Sequence, residues 1–312
     1  MEEHEDDQYC FQDGNSSSRT DSLPTSIYIT VYVFFSLISV VTVFLNLLVI
    51  ISISHLKQLH TPTNLLILSL AVSDLLVGLI VIPAMTVAIL EPCWVLGEYY
   101  CGLLLYATFL LSSSSLGNLV LISIDRYVAV CNPLLYHLKI TASKTLRCIY
   151  INWCCCIIYD AFYIKLTVNV HVPSRCFEEC YFVKGDIWIN MLDILISMVF
   201  PCSIIITLYL KIFVVARSQA RQVYSKETAQ ANKSERKAAK TLGIVVFNYL
   251  ICWLPINFTQ FLFYLSSGNS SSIFLFFLPL FNSFINPIIY AFFYPWFNVT
   301  AKRILTLNIR HV

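Results

Sequence analysis

Four carboxylates stand inside stretches of this sequence that are otherwise almost wholly apolar: Asp74, Asp125, Asp160 and Asp193. An ionised group at the centre of a bilayer costs about 2.5–3.5 kcal/mol on insertion scales, so each of the four needs a partner or a task. A lone carboxylate there can hold a cation, an acid beside a base can switch partners, and an acid among amides can tie helices together. Nucleophilic catalysis is not indicated. Cys154-Cys155-Cys156 has no neighbouring histidine and no Ser-His-Asp constellation is visible, so the chain is not expected to be an enzyme.

Each acid has a distinct setting. Asp125 is followed by Arg126 and Tyr127, with Asn132-Pro133-Leu134 soon after, and Glu235 offers Arg126 a second acidic partner. Two alternative pairings make a bistable element, whereas a plain helix-end anchor is the blander reading. Asp74 is matched in depth by Asn46, Ser115, Asn282, Ser283 and Asn286, which gives a polar network or a site for an allosteric sodium ion. Simple hydrogen bonding between helices is the favoured bland alternative. Asp193 lies eight residues before Pro201, about 12 Å along a straight helix. Asp160 has Lys165 about one turn further on, and a contact between those two, or an interface hydrogen bond, is expected ahead of a ligand role.

Positioning these residues requires helices in lipid. Apolar and aromatic residues make up 58% of the 312 residues and charged ones 12%, far from the balance of a soluble domain. A bilayer core of about 30 Å asks for about 20 apolar residues per helix. Seven runs qualify: 27–53, 64–90, 99–123, 148–168, 187–210, 241–265 and 272–294. The fold class expected is an all-α membrane protein, a bundle of seven transmembrane helices followed by a short amphipathic helix. Residues 1–26 form a polar tail, 27–294 the transmembrane domain and 295–312 a short second tail carrying that amphipathic helix. The first run is too long for a cleavable signal and reads as an uncleaved span.

Orientation follows from the basic residues. Sixteen of the twenty Lys and Arg fall on one side: Lys57; Arg126, Lys139, Lys144 and Arg147; eight from Lys211 to Lys240; Lys302, Arg303 and Arg310. Basic loops stay cytoplasmic, so the N-terminus is expected outside and the protein in the plasma membrane, its partner the surrounding lipid. The net charge of +2 reflects that topology and gives no reason to expect a nucleic-acid partner. Asn15 and Asn269 are glycosylation acceptors on the outer side. Cys10, Cys93, Cys101, Cys176 and Cys180 face the oxidising compartment; spacing does not settle their pairing, and the odd count leaves one over. No internal repeat of the transporter kind is present.

Prolines interrupt three of the runs, at Pro201, in Cys252-Trp253-Leu254-Pro255, and in Asn286-Pro287-Ile288-Ile289-Tyr290. Each removes a backbone hydrogen bond and kinks its helix. Together with Asn46, Leu70-Ala71-Val72-Ser73-Asp74, Cys101, Asp125-Arg126-Tyr127, Trp153 and Tyr209, in that order, they make the whole chain resemble the rhodopsin-like G-protein-coupled receptors. The stretch from Asn282 to Phe297, with Tyr294 and Trp296, resembles the fingerprint of the trace amine-associated receptors. So do two outer cysteines four apart, Cys176 and Cys180.

The resemblance implies disulfides Cys101–Cys180 and Cys10–Cys176. It implies a small-molecule amine as ligand, a heterotrimeric G protein of stimulatory or olfactory type as partner, and a rise in cyclic AMP. It assigns Asp125, Arg126, Tyr127, Leu134, Tyr209, Glu235 and Tyr290 to the G-protein switch, in which opening of the sixth helix breaks an Arg126–Glu235 contact. The acid that usually holds the ammonium, seven residues after the third-helix cysteine, is replaced here by Thr108. In a branch abundant in fish, the acid of the fifth helix keeps the amine-binding role, which here is Asp193. An Asp193 that is protonated, paired with Lys184 or open to water is the competing reading. Thr108, Leu111, Ser112, Trp253, Asn257, Gln260, Tyr264 and Phe277 complete the expected pocket, with Asp160 as a possible second acid suited to a diamine. A transporter, a channel or a receptor for a non-amine ligand is the alternative.

Overall fold

The computed structural model describes residues 25–90, 97–167, 187–221, 226–266 and 277–293, together with Phe297 and Thr300; within these ranges the side chains of 89, 97–98, 137, 187, 219–221, 226–238 and 260–266 lie outside the description. Six helices are long and apolar enough to cross a membrane, and a shorter apolar helix, Leu278–Phe293, is the seventh. They are called the first to seventh spans below. Several helices extend beyond the apolar runs of the sequence. The third extends over Gly97–Cys131, the fourth over Ala142–Thr167 and the sixth over Lys226–Ser266. Hydropathy marks the part that meets lipid, while hydrogen bonding carries each helix past it.

Local chemistry sets several boundaries. Thr61 caps the second span by accepting from the Asn64 amide, and Pro62 occupies the first turn, where its missing N–H costs nothing. Pro133 starts a short helix, Pro133–Lys139, between the third and fourth spans in the same way. Pro255 and Pro287 lie inside the sixth and seventh spans. The expected amphipathic helix falls in residues that are largely outside the description; Phe297 and Thr300 are both buried.

Two spans contain a widened π turn, Val77–Val81 in the second and Leu195–Val199 in the fifth. The pattern has a cause. In the second span the Ile82 amide bonds to the Val77 carbonyl, five residues back. The next bond of that series would come from residue 83, which is proline and has no N–H. The Gly78 carbonyl that it would have met accepts instead from Ser39 Oγ of the first span at 2.8 Å. Gly78 lets the two spans approach closely, since a Cβ there would stand 3.1 Å from Thr42 and Val43 methyl groups, which would have to give way by a few tenths of an ångström. The fifth span repeats the arrangement: Phe200 bonds back to Leu195, and Pro201 follows.

The apolar core has two main clusters. One, on the side of Arg126, joins Val49, Leu70, Leu119, Ile205, Leu242 and Tyr290 from six spans. The other, on the side of Cys101, joins Phe35, Ile82, Met85, Leu105, Leu111 and Phe277. Polar side chains are interleaved with both.

Candidate functional site

At one end of the bundle Asp125 and Arg126 are both buried, 3% and 4% exposed. Arg126 donates to Asp125 Oδ2 through Nε at 3.0 Å and Nη2 at 2.7 Å. Thr63 of the second span donates to the same oxygen at 2.7 Å, and the Tyr136 hydroxyl donates to Oδ1 at 2.9 Å. Arg126 also reaches Thr63 Oγ1 and the Tyr136 oxygen, at 2.5 and 3.4 Å. Both oxygens of a buried carboxylate are thus met by charge-assisted bonds, the strong kind. Burial, followed by the charge of Asp125, pushes the Tyr136 phenol up to about 12, so it stays a donor. Thr63 and Tyr136 escaped the sequence reading because neither belongs to the Asp-Arg-Tyr triplet.

Around that cluster, Lys211 Nζ of the fifth span stands 5.9 Å over the Tyr127 ring. Tyr209 packs against Gly243, where a Cβ would lie 3.2 Å from its ring. Tyr290 is fully buried, and Leu134 on the short helix is 91% exposed. The Glu235 side chain lies outside the described residues, as do Cys10, Cys176, Cys180, Asn15 and Asn269. Cys101 is buried and disulfide-bonded, its partner outside the description.

Asp74, fully buried mid-bundle, accepts from Ser283 Oγ at 2.7 Å and Asn286 Nδ2 at 2.9 Å. Asn46 donates to the Ser283 carbonyl at 3.1 Å, and Asn248 of the sixth span donates to Asn282 at 3.1 Å and Asn286 at 3.5 Å. Four spans meet in this network, and Asn248 is its unforeseen member. Ser115 is buried on the third span, but it is Ser114 that bonds across to the second span, through Ser73 at 3.3 Å.

Toward the other end, the fourth span faces the third and fifth with a row of polar groups. Tyr159 donates to Asp193 Oδ1 at 2.7 Å, and Ser197 is hydrogen-bonded to the same carboxylate. Among the described residues Asp193, itself half-buried, has no basic partner; Lys184 lies outside them. Asp160, 2% exposed, takes a bond from Ser113 Oγ at 3.2 Å, and its Oδ2 is buried with no partner among the described residues. The expected Asp160–Lys165 contact does not form. Five residues are about 140° round a helix, so the two point apart, and Lys165 is exposed. Asp160 and Asp193 lie within electrostatic range of each other.

The remaining pocket candidates divide. Thr108 and Ser112 spend their hydroxyl protons on their own helix, on the carbonyls of Leu104 (2.8 Å) and Thr108 (2.6 Å). Asn257 donates to the Trp253 carbonyl at 2.8 Å, and Trp253 stacks on Tyr249 with centroids 5.8 Å apart. Leu111 is buried, and Phe277 stacks on Phe35 of the first span at 4.0 Å. The side chains of Gln260 and Tyr264 lie outside the described residues. Among the described residues, Tyr159 and Ser197 therefore hold Asp193, with Asp160 and Ser113 beside them.

A bundle of this order, with its buried Asp-Arg pair at one end and proline-broken sixth and seventh spans, defines a seven-helix membrane receptor. The profile described as 7 transmembrane receptor (rhodopsin family) matches residues 45–290. Trace amine-associated receptor 5 of Mus musculus is 41% identical over 96% of this chain and 92% of its own length. Its Homo sapiens counterpart is 38% identical over 96% and 92%, and trace amine-associated receptor 13c of Danio rerio 36% identical over 99% and 95%. The chain belongs to the rhodopsin family of seven-transmembrane receptors and, within it, to the trace amine-associated receptors. Membership makes it a multi-pass membrane receptor, not an enzyme, with a G protein and a small molecule as its partners.

Proposed function

We propose that this receptor detects an amine whose ammonium is held by Asp193, and that it signals through a stimulatory G protein to raise cyclic AMP, in the manner of an olfactory receptor. The observation that carries the reading is a carboxylate held by Tyr159 and Ser197 with no basic residue beside it among the described residues. Such a group in low dielectric is short of one positive charge, and an ammonium supplies it. The curated relatives are named for trace amines, which supports the same ligand class. Asp160 is the candidate second acid.

The distribution of basic residues supports an extracellular N-terminus, with Arg126 at the cytoplasmic end. There the Asp125–Thr63–Tyr136 cluster holds Arg126 in a closed arrangement. A ligand preferring the open state shifts the balance only by its difference in affinity. Opening frees Arg126, Tyr209 and Tyr290 for the G protein, with Leu134 docking beside them. The Asp74 network is read as admitting a sodium ion in the closed state. Disulfides Cys101–Cys180 and Cys10–Cys176 and glycans at Asn15 and Asn269 complete the outer face.

The test is an amine panel in a cyclic-AMP assay on the wild type and Asp193→Ala at equal surface expression. A variant that answers every active amine normally overturns the site.

A further inference from the structure

Between the third, fourth and fifth spans lies a groove of about 520 Å3, walled by Val120, Leu121, Ile151, Cys155, Phe200 and Ile204. Its volume falls within the range of small-molecule pockets, about 300–1,000 Å3. Ile151 and Phe200 on its rim are exposed on the flank of the bundle, where lipid would lie. One end is different. There Ser113, Tyr159 and Ser197 line it, the three residues whose hydroxyls bond to Asp160 and Asp193. An apolar channel therefore ends on the polar groups that hold two carboxylates. From Ser113 to Leu121 it follows the third span for about 12 Å, taking 1.5 Å per residue.

Resting on the reading of Asp193 as the ammonium anchor, we infer that the groove takes the alkyl chain of an amphiphilic primary amine, its ammonium at Asp193 and its tail between the third, fourth and fifth spans. Charge complementarity selects this occupant over a lipid acyl chain alone. A neutral tail gains nothing from the acidic end, whereas an alkylamine satisfies both ends. Asp160, whose Oδ2 has no partner among the described residues, places a second carboxyl group at the same end. Gly117 permits the geometry, since the fourth span approaches so closely there that a Cβ would strike the Asn152 amide.

The experiment compares linear primary amines from ethylamine to octylamine in a cyclic-AMP assay on the full-length receptor in cells. Wild type, Val120→Phe, Ile204→Phe and Asp193→Asn are matched for surface expression; two filling variants guard against one failing to reach the surface. In the wild type, potency is expected to rise about threefold to fourfold per methylene until the groove is full, the gain for burying a CH₂. Either filling variant should lose at least tenfold for octylamine and leave ethylamine unchanged. A filling variant that keeps the chain-length gain, or weakens all amines equally, overturns the groove proposal alone. Ethylamine acting normally on Asp193→Asn overturns the Asp193 reading and the proposal with it, as does a wild type that answers no amine.

Discussion

The phenol of Tyr159 lies 2.7 Å from Asp193 Oδ1 and ties the fourth span to the fifth beside the only widened turn of the fifth span among the described residues. This bond fixes where the carboxylate stands before any ligand arrives. A preordered acid spares the ligand part of the cost of organising its site. The predictions below begin from it.

Tyr159→Phe should keep the ring and lose the donor. A hydrogen bond to a charged group is worth about 1.5–3 kcal/mol, so amine potency should fall by roughly tenfold or more while maximal response is retained. Concentration–response curves in the cyclic-AMP assay decide it. Unchanged potency would mean that the bond positions nothing the ligand uses.

Tyr136→Phe removes the donor to Asp125 Oδ1 and should raise ligand-independent cyclic AMP several-fold per receptor at the surface. Thr63→Ala, which takes a donor from Oδ2, should act in the same direction. Because the phenol is pushed up to about 12, chiefly by burial, it keeps its proton across the physiological range. The sign follows from a raised value: the contribution of Tyr136 is complete below its ordinary value near 10 and is lost only as pH climbs through about 12. Basal activity should therefore show no pH dependence from this residue. Equal basal activity in wild type and both variants would remove the closed cluster from the account.

Gly117→Ala should destabilise the bundle by about 1–3 kcal/mol, the usual cost of overpacking. The new Cβ would clash with Asn152 Oδ1, forcing that amide off the Ser114 carbonyl it bonds at 3.2 Å. Adding Asn152→Ala should recover part of the loss, since neighbouring substitutions are not additive. Thermal unfolding of the detergent-solubilised receptor measures both, and a double variant no better than the single one would contradict the stated clash.

Asp74→Asn should abolish any effect of sodium on agonist affinity. It should also lower the unfolding midpoint, because Asn presents one acceptor oxygen where Ser283 and Asn286 now find two. Agonist competition curves with and without sodium test the first part. A sodium effect that survives the substitution would place the ion elsewhere.

Much of this architecture was legible because lipid imposes a simple code. The seven apolar runs, the Asp-Arg pair and the proline-bearing sixth and seventh spans stand in the sequence as they do in the fold. Which side chains meet across spans was less legible. For Asp160 the sequence leaves open a contact with Lys165 or an interface hydrogen bond; helical geometry turns that lysine outward, and the bond from Ser113 of the third span is the second of these. The spacing from Pro201 gives the depth of Asp193 along a straight helix but not its facing, because a π turn intervenes and changes the angular position of everything before it. Tyr159 gives no signal of its own, being one tyrosine among 18. Asn248 likewise stands apart from the Asn-Pro motif it serves.

The central claim, that Asp193 carries the ammonium, is met most directly by a binding measurement that bypasses signalling. The affinity of the most potent amine is determined on purified wild type, Asp193→Asn, and Asp193→Asn combined with Thr108→Asp. Removing one member of a buried charge pair costs about 2–5 kcal/mol, so Asp193→Asn should weaken binding at least thirtyfold, and the added Thr108→Asp should restore part of it. Affinity within about twofold of wild type in Asp193→Asn would contradict the account.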